Sequence, residues 1–252
     1  MAVNSVKDDL WLRRYNPAPT SRIRLVCFPH AGGSAPYYFP MAQALPPAVE
    51  VLAVQYPGRQ DRRTEPCIDD IDRLADTLFE ILVPLTDKPL ALFGHSMGAV
   101  IAFEVARRLE ERADTVVATL FASGRRAPSC HRDEYVHTLD DDGLIADIKA
   151  LNGTDAALLD SDDIRELILP AIRNDYRAVE TYHYRPGPRL SCPISVFTGA
   201  EDPRVTADEA RAWEQHTTGG FTLRTFRGGH FFLADHHKDI SAAVLDRLLP
   251  SG

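Results

Sequence analysis

The sequence predicts an α/β fold: a mostly parallel sheet flanked by helices, with one helical insertion. Three observations predict it. Short apolar, β-branched runs alternate with segments of helical periodicity, as strands and covering helices do in a parallel sheet. One run passes through Gly94-His95-Ser96-Met97-Gly98 directly into an Ala-rich helical segment. The alternation is interrupted once, over residues 124–190, by two helical patterns with no strand-like run.

A chain of 252 residues with 44% hydrophobic and 25% charged residues can bury a sizeable core, and we expect a single domain over 1–252 with 124–190 inserted as a helical lid. The net charge of −8, without a long block of like charge, argues against a nucleic-acid partner. No apolar run is long enough to span a membrane, and residues 1–15 mix charged and apolar positions without the apolar stretch of a leader. A cytoplasmic, monomeric protein with no membrane partner is the expectation. Cys27, Cys67, Cys130 and Cys192 are widely spaced with no C-x-x-C, so they read as reduced thiols, and no metal or other cofactor is expected.

In chain order, Ile23–Phe28 reads as the first core strand and runs into Pro29-His30-Ala31-Gly32-Gly33-Ser34. This loop lacks the spacing of a dinucleotide or phosphate motif, but a Gly-rich loop after a strand can bring backbone N–H groups to a reacting centre. Residues 49–56 form the second strand and end in the turn Tyr56-Pro57-Gly58-Arg59. Apolar positions 71, 74, 78, 81, 82 and 85 have helical spacing. Strand 89–94, helix 97–112 and strand 115–122 follow. The insertion carries helices near 141–151 and 161–182, with Asn152-Gly153 between them. Their apolar faces look too short for a core of their own, which favours a cap over the strand ends. The sheet resumes with 193–198, followed by Gly199-Ala200-Glu201-Asp202-Pro203, and ends with 221–226. Arg227-Gly228-Gly229-His230-Phe231-Phe232 and a helix over 237–249 close the chain.

Gly-x-Ser-x-Gly between a strand and a helix puts the serine at the tip of a sharp turn, with glycines where strand and helix approach each other. Ser96 is therefore the candidate nucleophile. Such a serine needs a base and a carboxylate later in the chain, in the order Ser, Asp/Glu, His. Asp202 is preferred to Glu201 because Pro203 fixes the turn behind it and the shorter side chain is more easily held. Of nine histidines, His230 follows two glycines at the end of the last strand, where the base must lie. The N–H of Met97, after the nucleophile, and that of Ala31, in the loop after the first strand, are the candidate oxyanion donors.

With Gly-His-Ser-Met-Gly, Pro-His-Ala-Gly-Gly-Ser, Tyr-Pro-Gly-Arg, Gly-x-x-Asp-Pro and Gly-Gly-His-Phe-Phe in one chain, the sequence resembles the type II thioesterases, stand-alone α/β-hydrolases that accompany polyketide and non-ribosomal peptide synthases. The resemblance runs from about residue 10 to the C-terminus. It implies an α/β-hydrolase fold, a Ser96, His230, Asp202 triad, and a substrate acyl group held as a thioester on the phosphopantetheine arm of an acyl carrier protein. Two other readings remain at this point: a carboxylesterase or lipase acting on small oxygen esters, and a non-catalytic acyl-binding protein. Arg59, Arg62 and Arg63 after the second strand, Arg125 and Arg126 after the fourth, and Arg204 beside Asp202 share one edge of the predicted sheet. Of these, Arg59, Arg125, Arg126 and Arg204 are expected to form a basic rim on which an acidic carrier protein docks.

Overall fold

The computed structural model describes residues 10–151 and 161–250. Its sheet has seven strands, β1 (Leu12–Arg14), β2 (Ile23–Phe28), β3 (Val49–Val54), β4 (Leu90–His95), β5 (Thr119–Ser123), β6 (Ile194–Gly199) and β7 (Phe221–Phe226), in the order β1-β3-β2-β4-β5-β6-β7. Only β1 runs antiparallel, against β3; all other pairings are parallel. The helices are α1 (Phe39–Ala44), α2 (Ile71–Leu82), α3 (Met97–Ala113), α4 (Asp141–Ala150), α5 (Asp162–Glu180), α6 (Ala207–Arg211), α7 (Phe232–Asp235) and α8 (His237–Leu248).

The central strands are largely apolar because both faces are covered. Val26, Phe28, Leu52, Leu90 and Leu92 pack with α2 and α3, while the alternating Leu25, Cys27, Val51, Ala91 and Phe93 pack with α1 and α8. Helix α2 starts where the sequence spacing puts it because the Asp70 side chain accepts the Arg73 N–H at 2.8 Å and caps it. Registers such as Phe28↔Gly94, His95↔Ser123, Ser123↔Phe197 and Gly199↔Phe226 bring the carboxyl ends of five strands into one row. The loops after them therefore converge.

The structure departs from the sequence reading in several places. The antiparallel β1 is only three residues long, too short to show a pattern. The short α1, which carries Pro40, has no sequence periodicity to announce it either. Strand β5 starts at Thr119, not at 115, because Asp114 takes a left-handed φ of 48° and the Thr115 N–H closes back onto Leu109 O at 3.0 Å. The apolar Val117 in that stretch is buried without joining the ladder. Finally, the two helices of the insertion do make a small cluster of their own, from Leu144, Ile145, Ile148, Leu169 and Ile172, while Ala178 near the end of α5 packs into the main core. The Asn152-Gly153 connection lies outside the described residues. Among the described residues, no helix is long and apolar enough to cross a membrane.

Candidate active site

Ser96 sits between β4 and α3 with φ 53° and ψ −118°, a conformation that costs about 1–3 kcal/mol for a residue with a side chain. Its surroundings hold it there. Its N–H donates to Ser123 O at 2.8 Å on β5, and its C=O accepts the Ala99 N–H at 3.0 Å in the first turn of α3. The flanking glycines are required by contact: a Cβ at Gly94 would lie 2.1 Å from Gly98 O, and one at Gly98 would lie 2.0 Å from Phe28 O. The backbone thus crosses itself where only hydrogen atoms fit.

The loops after β4, β6 and β7 bring the three expected side chains together. His230 Nε2 is 2.9 Å from Ser96 Oγ, and His230 Nδ1 is 2.9 Å and 3.1 Å from the two carboxylate oxygens of Asp202. His230 and Asp202 are 4% and 8% exposed, which keeps this chain of hydrogen bonds out of bulk water. Asp202 Oδ1 also accepts the Arg204 N–H at 2.8 Å, fixing the carboxylate within its own turn. The neighbouring Glu201 is exposed, so of the two carboxylates only Asp202 is in reach.

A narrow pocket opens onto Ser96 and His230, with Ala31, Arg125, Tyr176 and Phe231 among its walls. Met97 is the first residue of α3, so its N–H is one of the helix amides left without an intrahelical partner. Ala31 lines the same pocket, whereas the next two amides are engaged: Gly32 N–H donates to Asp175 Oδ2 at 2.8 Å, and Gly33 N–H to His30 O at 2.9 Å. His30 borders the site on the other side, edge-on to Phe231 at 4.9 Å. Burial, then the neighbouring His230 and Arg59, push its pKa down to about 3, so it is a neutral ring in the wall. His95, packed 5.3 Å from the His230 ring, is likewise held well below the usual range, mainly by burial. A second cavity of about 200 Å³, with no charged side chain in its wall, adjoins and is lined by Ile148, Ile168, Ile172, Tyr176 and Phe231 among others.

The arginines expected on a docking rim turn inward, which corrects that reading. Arg59 is 8% exposed and pairs bidentately with Asp175 of α5, at 2.5 Å and 2.9 Å. Arg126 is 4% exposed and pairs with Glu134. Arg204 pairs with Glu134 and Asp147. Arg125 is half-buried in the pocket wall, and its Nε has no hydrogen-bond partner among the described residues. Arg62 is buried too, stacked over Trp11 at 4.2 Å, while Arg63 is exposed. The carboxylates that face Arg59 and Arg204 lie far off in sequence, beyond the reach of local composition, whereas Glu134 is only eight residues from Arg126. Distance in sequence likewise hides Tyr176 and Asp175, whose only sequence signal is helical spacing; His30 and Phe231 are visible inside the quoted motifs.

A strained serine on a strand-to-helix turn, joined through histidine to aspartate at the carboxyl edge of a parallel sheet, defines the chain as an α/β-hydrolase. Comparison with known proteins narrows the class. The family model "Thioesterase domain" matches residues 23–249. "Thioesterase PikA5" of Streptomyces venezuelae is 48% identical over 97% of this chain and 88% of its own. The "Probable cadicidin biosynthesis thioesterase" of Streptomyces griseus is 52% identical over 95% of this chain, which spans only 66% of that relative's length. The solved structure of "the type II thioesterase BorB from the borrelidin biosynthetic cluster" superposes with a TM-score of 0.89 at 52% identity, covering 95% of this chain and 98% of that one. This chain belongs to the thioesterase family.

Proposed function

We propose that the chain hydrolyses acyl thioesters held on the phosphopantetheine arm of acyl carrier proteins in polyketide or non-ribosomal peptide assembly. Ser96 is the nucleophile, His230 the base, Asp202 its partner, and the Ala31 and Met97 amides form the oxyanion hole. The observation that carries the reading is the unbroken run of hydrogen bonds from Asp202 through His230 to Ser96 at the mouth of a pocket. The relatives named for biosynthetic clusters support the thioester class over small oxygen esters. Residues 124–190 act as a lid on a single domain, and the protein works in the cytoplasm, where its four free thiols stay reduced.

The steps follow from the geometry. As Ser96 Oγ attacks the thioester carbon, its proton passes to His230 Nε2, and the new cation is stabilised by Asp202 at Nδ1. The carbonyl oxygen becomes an oxyanion that the Ala31 and Met97 N–H groups receive. Collapse breaks the C–S bond, and the sulfur leaves as thiol with the proton from His230; with a thiol pKa of about 8.5, departure needs little assistance. Water then attacks the acyl-enzyme with His230 again as base, releasing the carboxylic acid. The apolar cavity beside Tyr176 and Phe231 receives the acyl chain.

The test compares an acyl-pantetheine with its oxygen-ester analogue, alongside intact-protein mass spectrometry of the enzyme. The reading expects faster cleavage of the thioester and a transient acyl adduct on Ser96. Preference for the oxygen ester, or no adduct with any acylated carrier protein, overturns it.

A further inference from the structure

The loop that carries Ala31 is a turn gripped from the insertion. Gly33 N–H donates to His30 O at 2.9 Å and Gly32 has φ +75°, the signature of a type II turn with Ala31 and Gly32 at its centre. Two contacts hold this turn from outside. Asp175, 1% exposed on α5, accepts the Gly32 N–H at 2.8 Å, and Arg59 donates to Gly33 O at 3.2 Å. Arg59 and Asp175 are themselves joined bidentately. The helix is seated directly on the turn, since a Cβ at Gly32 would come within 2.5 Å of Ile172 Cγ1.

We propose that Asp175 is a positioning residue for the hydrolysis: by accepting the Gly32 N–H, it sets the turn that aims the Ala31 N–H at the oxyanion, so the hole is complete only when α5 is seated. This rests on the oxyanion assignment above and deepens it. The physical reason lies in the turn. A type I arrangement of the same four residues would rotate the Ala31–Gly32 peptide by about half a turn and carry the Gly32 N–H away; the Ala31 N–H belongs to the preceding peptide and does not turn with it, so what the Asp175 contact fixes is the position of the turn on which that amide sits. A carboxylate facing that N–H favours the type II arrangement, because a rotated peptide would present the Ala31 carbonyl to a negative charge. The ion pair with Arg59 fixes the carboxylate and grips the far side of the turn through Gly33 O. Asp175 therefore acts on the reaction only through the placement of the Ala31 amide, where a displacement of about 1 Å can cost on the order of a hundredfold in rate.

The experiment separates the acceptor from the charge. Removing Asp175 alone would strand the buried Arg59 cation, so both members are changed: Arg59→Leu/Asp175→Asn keeps an acceptor for Gly32 N–H, and Arg59→Leu/Asp175→Leu removes it. With a short acyl-pantetheine as substrate, kcat of the acceptor-less double variant should fall at least about tenfold below that of the acceptor-keeping one, with KM changing less than about twofold. An alkyl boronic acid that forms a tetrahedral adduct with Ser96 should lose affinity by a similar factor, whereas a merely structural role would leave that difference at zero. Equal kcat and equal boronate affinity in two variants of equal thermal stability overturn the proposal. A wild-type protein that fails to cleave the thioester overturns the functional reading instead. Without any substitution, the Gly32 amide of the wild-type protein should exchange with solvent as slowly as the amides of β4; exchange at the rate of an exposed loop also overturns the proposal, even if a double variant does not fold.

Discussion

Replacing Gly98 by Ala tests how tightly the serine turn is packed. The added Cβ would lie 2.0 Å from Phe28 O and 2.6 Å from Phe28 C, both backbone atoms of β2 that cannot rotate away. Side-chain Cβ atoms essentially never approach closer than 3.0 Å, so the start of α3 must move about 1 Å relative to β2. That segment carries both Ser96 Oγ and the Met97 N–H, so the shift misplaces the nucleophile and one oxyanion donor together. A 1 Å error is worth on the order of a hundredfold in kcat/KM, about 2.7 kcal/mol of transition-state stabilisation. Overpacking of this kind also costs about 1–3 kcal/mol of stability. Thiol release from an acyl-pantetheine, followed with a thiol-reactive chromophore, measures the first effect, and urea unfolding followed by tryptophan fluorescence measures the second. Wild-type kcat/KM together with an unchanged unfolding midpoint in Gly98→Ala would refute the reasoning.

Further outcomes follow from other parts of the structure. Ser96→Ala should abolish the acyl adduct and lower kcat by at least about a thousandfold while leaving the unfolding curve in place; turnover within tenfold of wild type contradicts the nucleophile assignment. Glu134→Ala leaves Arg126, 4% exposed, without its carboxylate and should destabilise the fold by about 3 kcal/mol in urea unfolding, whereas a surface ion pair would cost under about 1 kcal/mol. His216 is 4% exposed, and burial followed by the nearby Arg107 pushes its pKa down to about 4. Its depressed value means that the unfolded chain takes up a proton that the folded chain refuses, so stability is lost as pH falls from about 6.5 toward about 4. Between pH 7 and pH 5 wild type should lose about 1–2 kcal/mol more than His216→Gln; parallel pH profiles for the two would contradict this.

Features whose causes are local can be read from the chain alone. The turn at Ser96 is legible because strand, two glycines and helix are contiguous, and a sharp crossing leaves no room for other residue types at 94 and 98. His230 is legible because a pair of glycines marks the end of the last strand, and the alternation of runs is enough to predict the parallel sheet. The choice of Asp202 over Glu201 rests on turn stiffness, and the structure adds the stronger reason that Glu201 faces solvent. Where the arginines point is settled by three-dimensional packing. A cation's direction depends on which carboxylate faces it, and the partner of Arg59 is 116 residues away on α5. The insertion hides its part in the site for the same reason: helical spacing tells which positions share a face, but not what that face meets. The meeting of Asp175 with Gly32, across 143 residues, is a consequence of how the helix seats on the sheet edge, and no local pattern encodes it.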